Sequence, residues 1–376
     1  MASANANLHK AKDAKNDEFY TQLTDVAKEL MHYKAHFKDK IVLCNCDDPT
    51  WSAFWKYFHL NFAELGLKKL ISTHYDKTEP TYKMEYTGGD DNNIEVGVKT
   101  PLEGNGDFRN QECLDLLDEC DIVVTNPPFS LFREYVAVLM EHQKKFLILG
   151  NMNALTYKEI FPLIRDNQLW YGASIHSGDR KFYVPDDYPL KASGCGVDDN
   201  GRKFIRVKGV RWYTNLDYKA RHEKLVLWKN YTPEEYPKYD NYDAINVNKY
   251  SEIPCDYDGV MGVPITFIDY YCPEQFEIVA FRKGDDGKDL VFTRERESST
   301  VLSYPCTTSI AGMIKKRRRQ NQWEAYLREN NNQTEIEPID YFYPLSIKSR
   351  AAGTMNGLIN GKETYRRILI CQKGTK

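Results

Sequence analysis

Short apolar runs alternate with amphipathic stretches across the first 150 residues, and this alternation narrows the accessible folds more than any other feature of the chain. Within Leu23 to Phe37, the residues Leu23, Val26, Ala27, Leu30 and Met31 recur at helical spacing, with Thr21 or Thr24 as a cap. Ile41, Val42 and Leu43 then read as a strand. Asp48 followed by Pro49 reads as a helix N-cap with proline at the first helical position, leading into Trp51, Phe54, Trp55 and Phe58 on one face. Leu70 and Ile71 form a second strand, Ile94 to Val98 a hairpin arm after Gly88 and Gly89, and Ile122 to Val124 a buried strand. A helix over Leu131 to Met140 and a strand over Phe146 to Leu149 follow. Such alternation builds βαβ units around a mainly parallel sheet, so the expected fold class is α/β.

Beyond Tyr157 the pattern changes. Lys203 to Tyr213, rich in tyrosine, arginine and β-branched residues, predicts an antiparallel edge, and Tyr231 to Tyr250 is polar with little periodicity. Strands are expected at Val263 to Phe267, Glu277 to Phe281 and Ile368 to Ile370, with a short helix around Trp323 to Arg328. A chain of 376 residues exceeds what one hydrophobic core usually supports, which argues for a core of residues 1–230 and an appended module of residues 231–376.

Composition excludes several classes. No apolar run approaches the roughly 18 residues a membrane span needs, and Met1 to Lys15 carries no apolar stretch of the secretory kind. A cytoplasmic protein without a membrane partner is expected. The nine cysteines are odd in number, and Cys44, Cys46, Cys113 and Cys120 fall in buried segments, which fits a reducing compartment better than a disulfide framework. Cys44 and Cys46 have no matching pair downstream, so no metal site is expected. The formal net charge is only −3, so binding to nucleic acid would need cations gathered locally. Lys315, Lys316, Arg317, Arg318 and Arg319 are such a gathering, followed by Gln320, Asn321 and Gln322; the same run also reads as a solvated loop.

The chemistry concentrates at Asn126-Pro127-Pro128-Phe129, directly after the buried strand and before a helix, where open α/β sheets bind ligands. The exocyclic amine of adenine is a poor nucleophile because its lone pair is delocalised into the ring. The Asn126 side-chain oxygen and the Pro127 carbonyl supply two acceptors that favour a pyramidal nitrogen. Consecutive prolines fix that backbone, and Phe129 offers a ring on which an extruded base can stack. Gly106-Asp107-Phe108, near the expected end of another strand, suits an adenosine pocket, with Asp107 accepting from an amine and Phe108 packing on the ring. It also reads as an ordinary turn. Phe19, Tyr20 and Thr21 precede the first helix and suit either a cofactor contact or a helix cap. Asn45 and Asp47 lie in the loop after the first strand, where a cofactor's ammonium group would come, and Asp76 after the second strand could meet ribose hydroxyls.

Phe19-Tyr20, the loop Cys44 to Pro49 with Trp51, Gly106-Asp107-Phe108 and Asn126-Pro127-Pro128-Phe129 together resemble the EcoRI-type adenine-specific DNA methyltransferase family. The resemblance continues through Val210 to Leu216 and Gly262 to Phe267, and so covers most of the chain. It implies a Rossmann-like methyltransferase sheet with a C-terminal mixed α/β recognition region, S-adenosyl-L-methionine as cofactor, and N6 methylation of adenine in double-stranded DNA. The motif order, cofactor first, catalytic next and recognition last, resembles the gamma arrangement of amino-methyltransferases. By position, Asn126, Pro127, Pro128 and Phe129 would be catalytic. Phe19, Tyr20, Thr21, Asn45, Asp47, Asp107 and Phe108 would surround the cofactor, and Lys315 to Arg319 would meet DNA. A restriction endonuclease acting on the same site is the implied partner. The chain departs from the broader methyltransferase pattern in lacking a glycine-rich first loop. Methylation of a protein glutamine or of RNA, and a non-catalytic nucleic-acid-binding module, remain compatible with the same residues.

Overall fold

The computed structural model describes residues 20–76, 80–186, 188–190, 194–239, 243–281, 291–295, 301–305, 358–359 and 362–374. The chain divides into two compact units, one of Met1–Ile164 with Gln168–Ala220 and one of Arg165–Asn167 with Arg221–Lys376.

The first unit is built on an eight-stranded mixed sheet. In chain order its strands are β1 (Ile41–Cys44), β2 (Lys69–Thr73), β3 (Tyr82–Tyr86), β4 (Val98–Pro101), β5 (Ile122–Thr125), β6 (Lys145–Asn151), β7 (Trp170–Tyr171) and Val210–Thr214. Their spatial order is β4-β3-β2-β1-β5-β6, then Val210–Thr214, then β7. The four central strands β2, β1, β5 and β6 run parallel. Both faces of a parallel sheet are covered, and the residues comply: all of β5 and all of β1 after Ile41 are buried. Antiparallel β3 and β4 extend one side, while Val210–Thr214 and β7 extend the other.

Helix α1 (Leu23–Leu30) precedes β1, and α2 (Ala53–Leu60) follows it. Phe54, Trp55 and Phe58 of α2 and Val26 and Leu30 of α1 join the main core of the unit. Each such side chain removed from water contributes about 1.5–3 kcal/mol. Helix α3 is the single turn Phe62–Leu65, α4 (Gln111–Glu119) precedes β5, and α5 (Phe132–Glu141) leads from β5 to β6.

Several sequence expectations need correction. The first helix stops at Leu30, and Lys34–His36 is a separate 3-10 turn. Neither Thr21 nor Thr24 caps it; the cap position is Gln22, whose side chain does not cap. Asp48 is not the N-cap of α2. Ser52 is, its Oγ accepting from the N–H groups of Phe54 and Trp55 at 3.1 Å each. Asp48 instead closes the preceding turn, accepting from the Thr50 N–H at 2.8 Å and the Thr50 hydroxyl at 2.7 Å. The hairpin arm lies at Val98–Pro101, beyond Ile94, paired with Tyr82–Tyr86. The expected edge from Lys203 to Tyr213 is two strands in two sheets. They part at Gly209, whose φ of +73° suits glycine. In the first unit a three-stranded antiparallel sheet orders β8 (Asp179–Tyr183), β10 (Lys203–Lys208) and β9 (Gly196–Val197), with β10 central.

The second unit holds a four-stranded sheet ordered Ala244–Asn246, Val260–Pro264, Arg367–Gln372, Phe276–Phe281. The first pair is parallel and the rest antiparallel. The expected helix around Trp323 to Arg328 lies outside the described residues. No described helix is long and apolar enough to cross a membrane.

Candidate active site

Two parallel strands of the first unit end in hydroxyl-bearing residues and a third runs on into an amide residue, and these knit their exit loops together. Strand β1 continues into Asn45, Cys46 and Asp47, with Cys46 at a φ of +59°. Strand β2 ends in Ser72 and Thr73, and β5 ends in Thr125. The Ser72 hydroxyl donates toward the Cys44 carbonyl at 3.1 Å and lies in short contact with the Asp47 carbonyl. Thr73 accepts from the Cys46 N–H at 3.2 Å, and its carbonyl accepts from the Asp47 N–H at 3.1 Å. The turn of the β1 loop is therefore pinned to β2 by four polar contacts in an otherwise apolar setting.

The same loop is pinned to the Asn126 motif. Thr125 Oγ1 lies 2.5 Å from both the Asn45 carbonyl oxygen and Asp47 Oδ2. Asp47 Oδ2 also accepts from the Asn126 N–H at 3.4 Å. The Thr125 hydroxyl is shared as donor between these two acceptors. Burial of Asp47 pushes its pKa up to about 7, against the opposing hydrogen bonds from Thr125, Asn126 and Ser52.

Asn126-Pro127-Pro128-Phe129 leaves β5 at its carboxyl end, with Pro127 buried and Asn126, Pro128 and Phe129 half-buried. The Pro128 carbonyl accepts from the Leu131 N–H at 2.9 Å and opens a 3-10 turn, Phe129–Leu131, that runs into α5. Phe129 packs on the main core. Tyr135 of α5 ties this motif to the remaining candidates: its hydroxyl is in short contact with Asn45 Oδ1, and its ring meets Phe108 edge-on at 4.9 Å.

Gly106-Asp107-Phe108 does not sit at a strand end, since β4 closes at Pro101; it lies in the loop leading to α4. It nevertheless reaches the exit of β2. The Asp76 N–H donates to the Asn105 carbonyl at 3.1 Å, and a Cβ on Gly106, at a φ of +74°, would come within 2.1 Å of the His74 carbonyl oxygen. The Asp107 carboxylate is held by Arg109 through two bonds of 2.9 and 2.7 Å, and Arg109 keeps it below the usual carboxylate range.

Tyr20 pairs by its backbone with Tyr183, and its ring lies on Trp51 with centroids 3.9 Å apart. Thr21 Oγ1 is buried with no hydrogen-bond partner among the described residues. Asn45, Asp47, Phe108 and Asn126 thus form one connected group, and Tyr20 joins through Trp51. Phe19 and Lys315 to Arg319 lie outside the described residues. Sequence reasoning missed Thr125, Ser72, Thr73 and Tyr135. The signal was available for three of them: hydroxyl residues closing buried aliphatic strands are polar groups that must find partners.

A loop pair at the carboxyl end of parallel strands, with Asn-Pro-Pro-Phe on one loop, defines the class of enzyme to which comparison with known proteins also leads. The family profile described as "Adenine-specific methyltransferase EcoRI" matches residues 7–373, and the chain belongs to that family. It is 49% identical over 302 residues to the type II methyltransferase M.EcoRI of Escherichia coli, covering 77% of this chain and 93% of that protein. It is 42% identical over 276 residues to M.MpnI of Mycoplasma pneumoniae, covering 72% and 84%. A third relative, M.MgeORF184P of Mycoplasma genitalium, is 40% identical over 279 residues, covering 73% and 85%. No solved structure matches the chain significantly.

Proposed function

We propose that this adenine-specific methyltransferase transfers a methyl group from S-adenosyl-L-methionine to the N6 amine of an adenine extruded from double-stranded DNA. The observation that carries this reading is the junction of the Asn45–Asp47 loop with Asn126 through Thr125 and Asp47, which sets a nucleotide-facing loop beside a motif suited to a planar amine. Family membership supports adenine as the target. Rossmann-like descent of the sheet is part of the same proposal, supported by the four parallel central strands.

The residues fit such a cofactor. Thr21 offers a buried hydroxyl without an internal partner, and the Gly106 loop comes so close to the exit of β2 that only a residue without a side chain is accommodated. Phe19, Tyr20, Thr21 and Asn45 would line the methionine and ribose portions, with Asp47 holding the loop from beneath. Asp107 and Phe108 would take the adenine. Bound there, S-adenosyl-L-methionine supplies an electrophilic methyl group. Asn126 Oδ1 and the Pro127 carbonyl accept from the two N–H groups of the target amine and turn its lone pair toward the methyl. Phe129 stacks on the flipped base, a contact of about 1–3 kcal/mol.

The division of labour is proposed as methyl transfer in residues 1–230 and target recognition in residues 231–376, with Lys315, Lys316, Arg317, Arg318 and Arg319 on DNA phosphates. A restriction endonuclease of the same specificity is the proposed partner, since the relatives are named type II methyltransferases. The test is transfer of labelled methyl from S-adenosyl-L-methionine to unmethylated genomic DNA with nucleoside analysis. N6-methyladenine is expected, and its loss in Asn126→Ala with cofactor binding retained. Label in RNA or protein but none in DNA would overturn the reading.

A further inference from the structure

The three-stranded sheet of the first unit has two unlike faces. Phe182, Ile205 and Val207 point inward and belong to the main core. Strand pairing puts Tyr183 opposite Phe204 and Lys181 opposite Arg206, so with period-two alternation these four, together with Lys208, share the other face. Arg202, just before β10, lies over the Tyr183 ring at 4.1 Å, and Lys181 lies over the Phe204 ring at 4.3 Å. Arg206 and Lys208 are exposed. Two carboxylates answer these charges: Asp179 pairs with Arg206 at 3.2 Å and Asp198 with Arg202 at 3.0 Å. Exposed pairs of this kind contribute only about 0–1 kcal/mol, so they yield to a stronger anion.

This face adjoins the candidate active site. The Tyr20 N–H donates to the Tyr183 carbonyl at 2.8 Å, the Tyr183 N–H returns a bond to the Tyr20 carbonyl at 3.1 Å, and the Tyr20 ring lies on Trp51. The Trp51 N–H in turn donates to the Asp48 carbonyl at 3.2 Å. A polyanion lying along β8 and β10 would therefore pass beside the loop that meets Asn126.

We propose that the outer face of β8 and β10, with Lys181, Arg202, Arg206 and Lys208 interleaved with Tyr183 and Phe204, is a contact surface for the sugar–phosphate backbone of the duplex flanking the target base. The inference rests on the DNA-methylation reading and gives the first unit its own grip on DNA, separate from Lys315 to Arg319. Spaced cations match phosphates, and rings held under them offer flat apolar surface to the deoxyriboses. The charge of the chain as a whole, −3, makes a local cationic face of this kind necessary for duplex binding.

The test uses the full chain and a fluorescein-labelled unmethylated duplex, with affinity followed by anisotropy across a salt series. Each lost phosphate contact lowers the slope of log affinity against log salt by about 0.9, and lowers affinity about eightfold near ~0.1 M salt. Arg206→Gln with Lys208→Gln is expected to flatten the slope accordingly, while Arg206→Lys with Lys208→Arg keeps it. Asp179→Asn releases Arg206 and is expected to tighten binding, a gain that general damage to the sheet would not produce. An unchanged slope in the double glutamine variant, or no gain with Asp179→Asn, overturns the proposal. Methyl transfer by the wild-type protein is measured in parallel. If binding depends on Arg206 and Lys208 but no methyl reaches DNA, the surface stands and the methylation reading falls; if methyl reaches DNA and binding ignores them, the reverse holds.

Discussion

Replacing Asp47 by asparagine tests the proton arrangement at the centre of the candidate site. In the folded protein the Asp47 carboxyl has a pKa of about 7, raised by burial from 3.8. That difference in proton affinity corresponds to about 4 kcal/mol, at 1.36 kcal/mol for each tenfold change. Its sign follows from linkage. Below about pH 4 both folded and unfolded chains hold the proton, and the contribution to stability is complete. As pH rises from there to about 7 the unfolded chain releases its proton first, so stability is lost across that window and stays lost above it. Asparagine is close to the carboxyl in shape, and its side-chain carbonyl can still accept from the Thr125 hydroxyl and the Asn126 N–H. It carries no charge at any pH. Thermal unfolding of wild type and Asp47→Asn, compared between pH 5 and pH 8, should diverge. Between pH 5 and pH 8 the variant should gain on wild type by about 2.7 kcal/mol, the two pH units from 5 to about 7 at 1.36 kcal/mol each. Parallel curves across the range would refute the argument and mean that Asp47 is ionised throughout.

Three further outcomes follow from the geometry. Thr21→Val removes a buried hydroxyl that has no internal partner, so the ligand-free protein should be as stable or more so, while affinity for S-adenosyl-L-methionine falls by about 2- to 10-fold, the ~0.5–1.5 kcal/mol of one hydrogen bond; calorimetric titration reads this directly. Gly106→Ala places a methyl group 2.1 Å from the His74 carbonyl oxygen at a φ of +74°. The loop must shift, costing about 1–3 kcal/mol locally, and equilibrium dialysis should show cofactor binding strongly weakened. Thr125→Val leaves the Asn45 carbonyl and the Asp47 carboxyl without their shared partner. A loss of about 1–3 kcal/mol for each stranded group is expected in urea unfolding, together with a fall in turnover as the two loops separate.

How far the sequence could be read depended on whether a residue's role was local or collective. Strand β5 was legible because Ile122, Val123 and Val124 are apolar without interruption, and a run buried on both faces needs no knowledge of its neighbours. Its motif stands out as a candidate because the chemistry proposed for Asn126 and Pro127 is carried by adjacent residues. The capping of α2 was misread for a physical reason. Asp48 and Ser52 both satisfy the local preference for an N-cap, and the choice falls to Ser52 because Asp48 is occupied by Thr50 and by the Tyr82 hydroxyl, 2.7 Å away and 34 residues distant in sequence. The split of Lys203 to Tyr213 into two sheets was hidden likewise, since strand propensity is continuous there and only the positive φ at Gly209 breaks it.

The role of Asp47 shows most clearly what distance in sequence conceals. Read locally, it is an acid in a polar loop, free to meet an ammonium group. In the fold its carboxyl faces Thr125, 78 residues away, and the N–H of Asn126. An acid in that position ties the Asn45–Asp47 loop to the Asn126 motif, and burial pushes its pKa up to about 7, so its ionisation is expected to alter the contact with the Asn126 N–H. Any pH dependence of turnover near neutrality that arises from Asp47 should therefore disappear in Asp47→Asn.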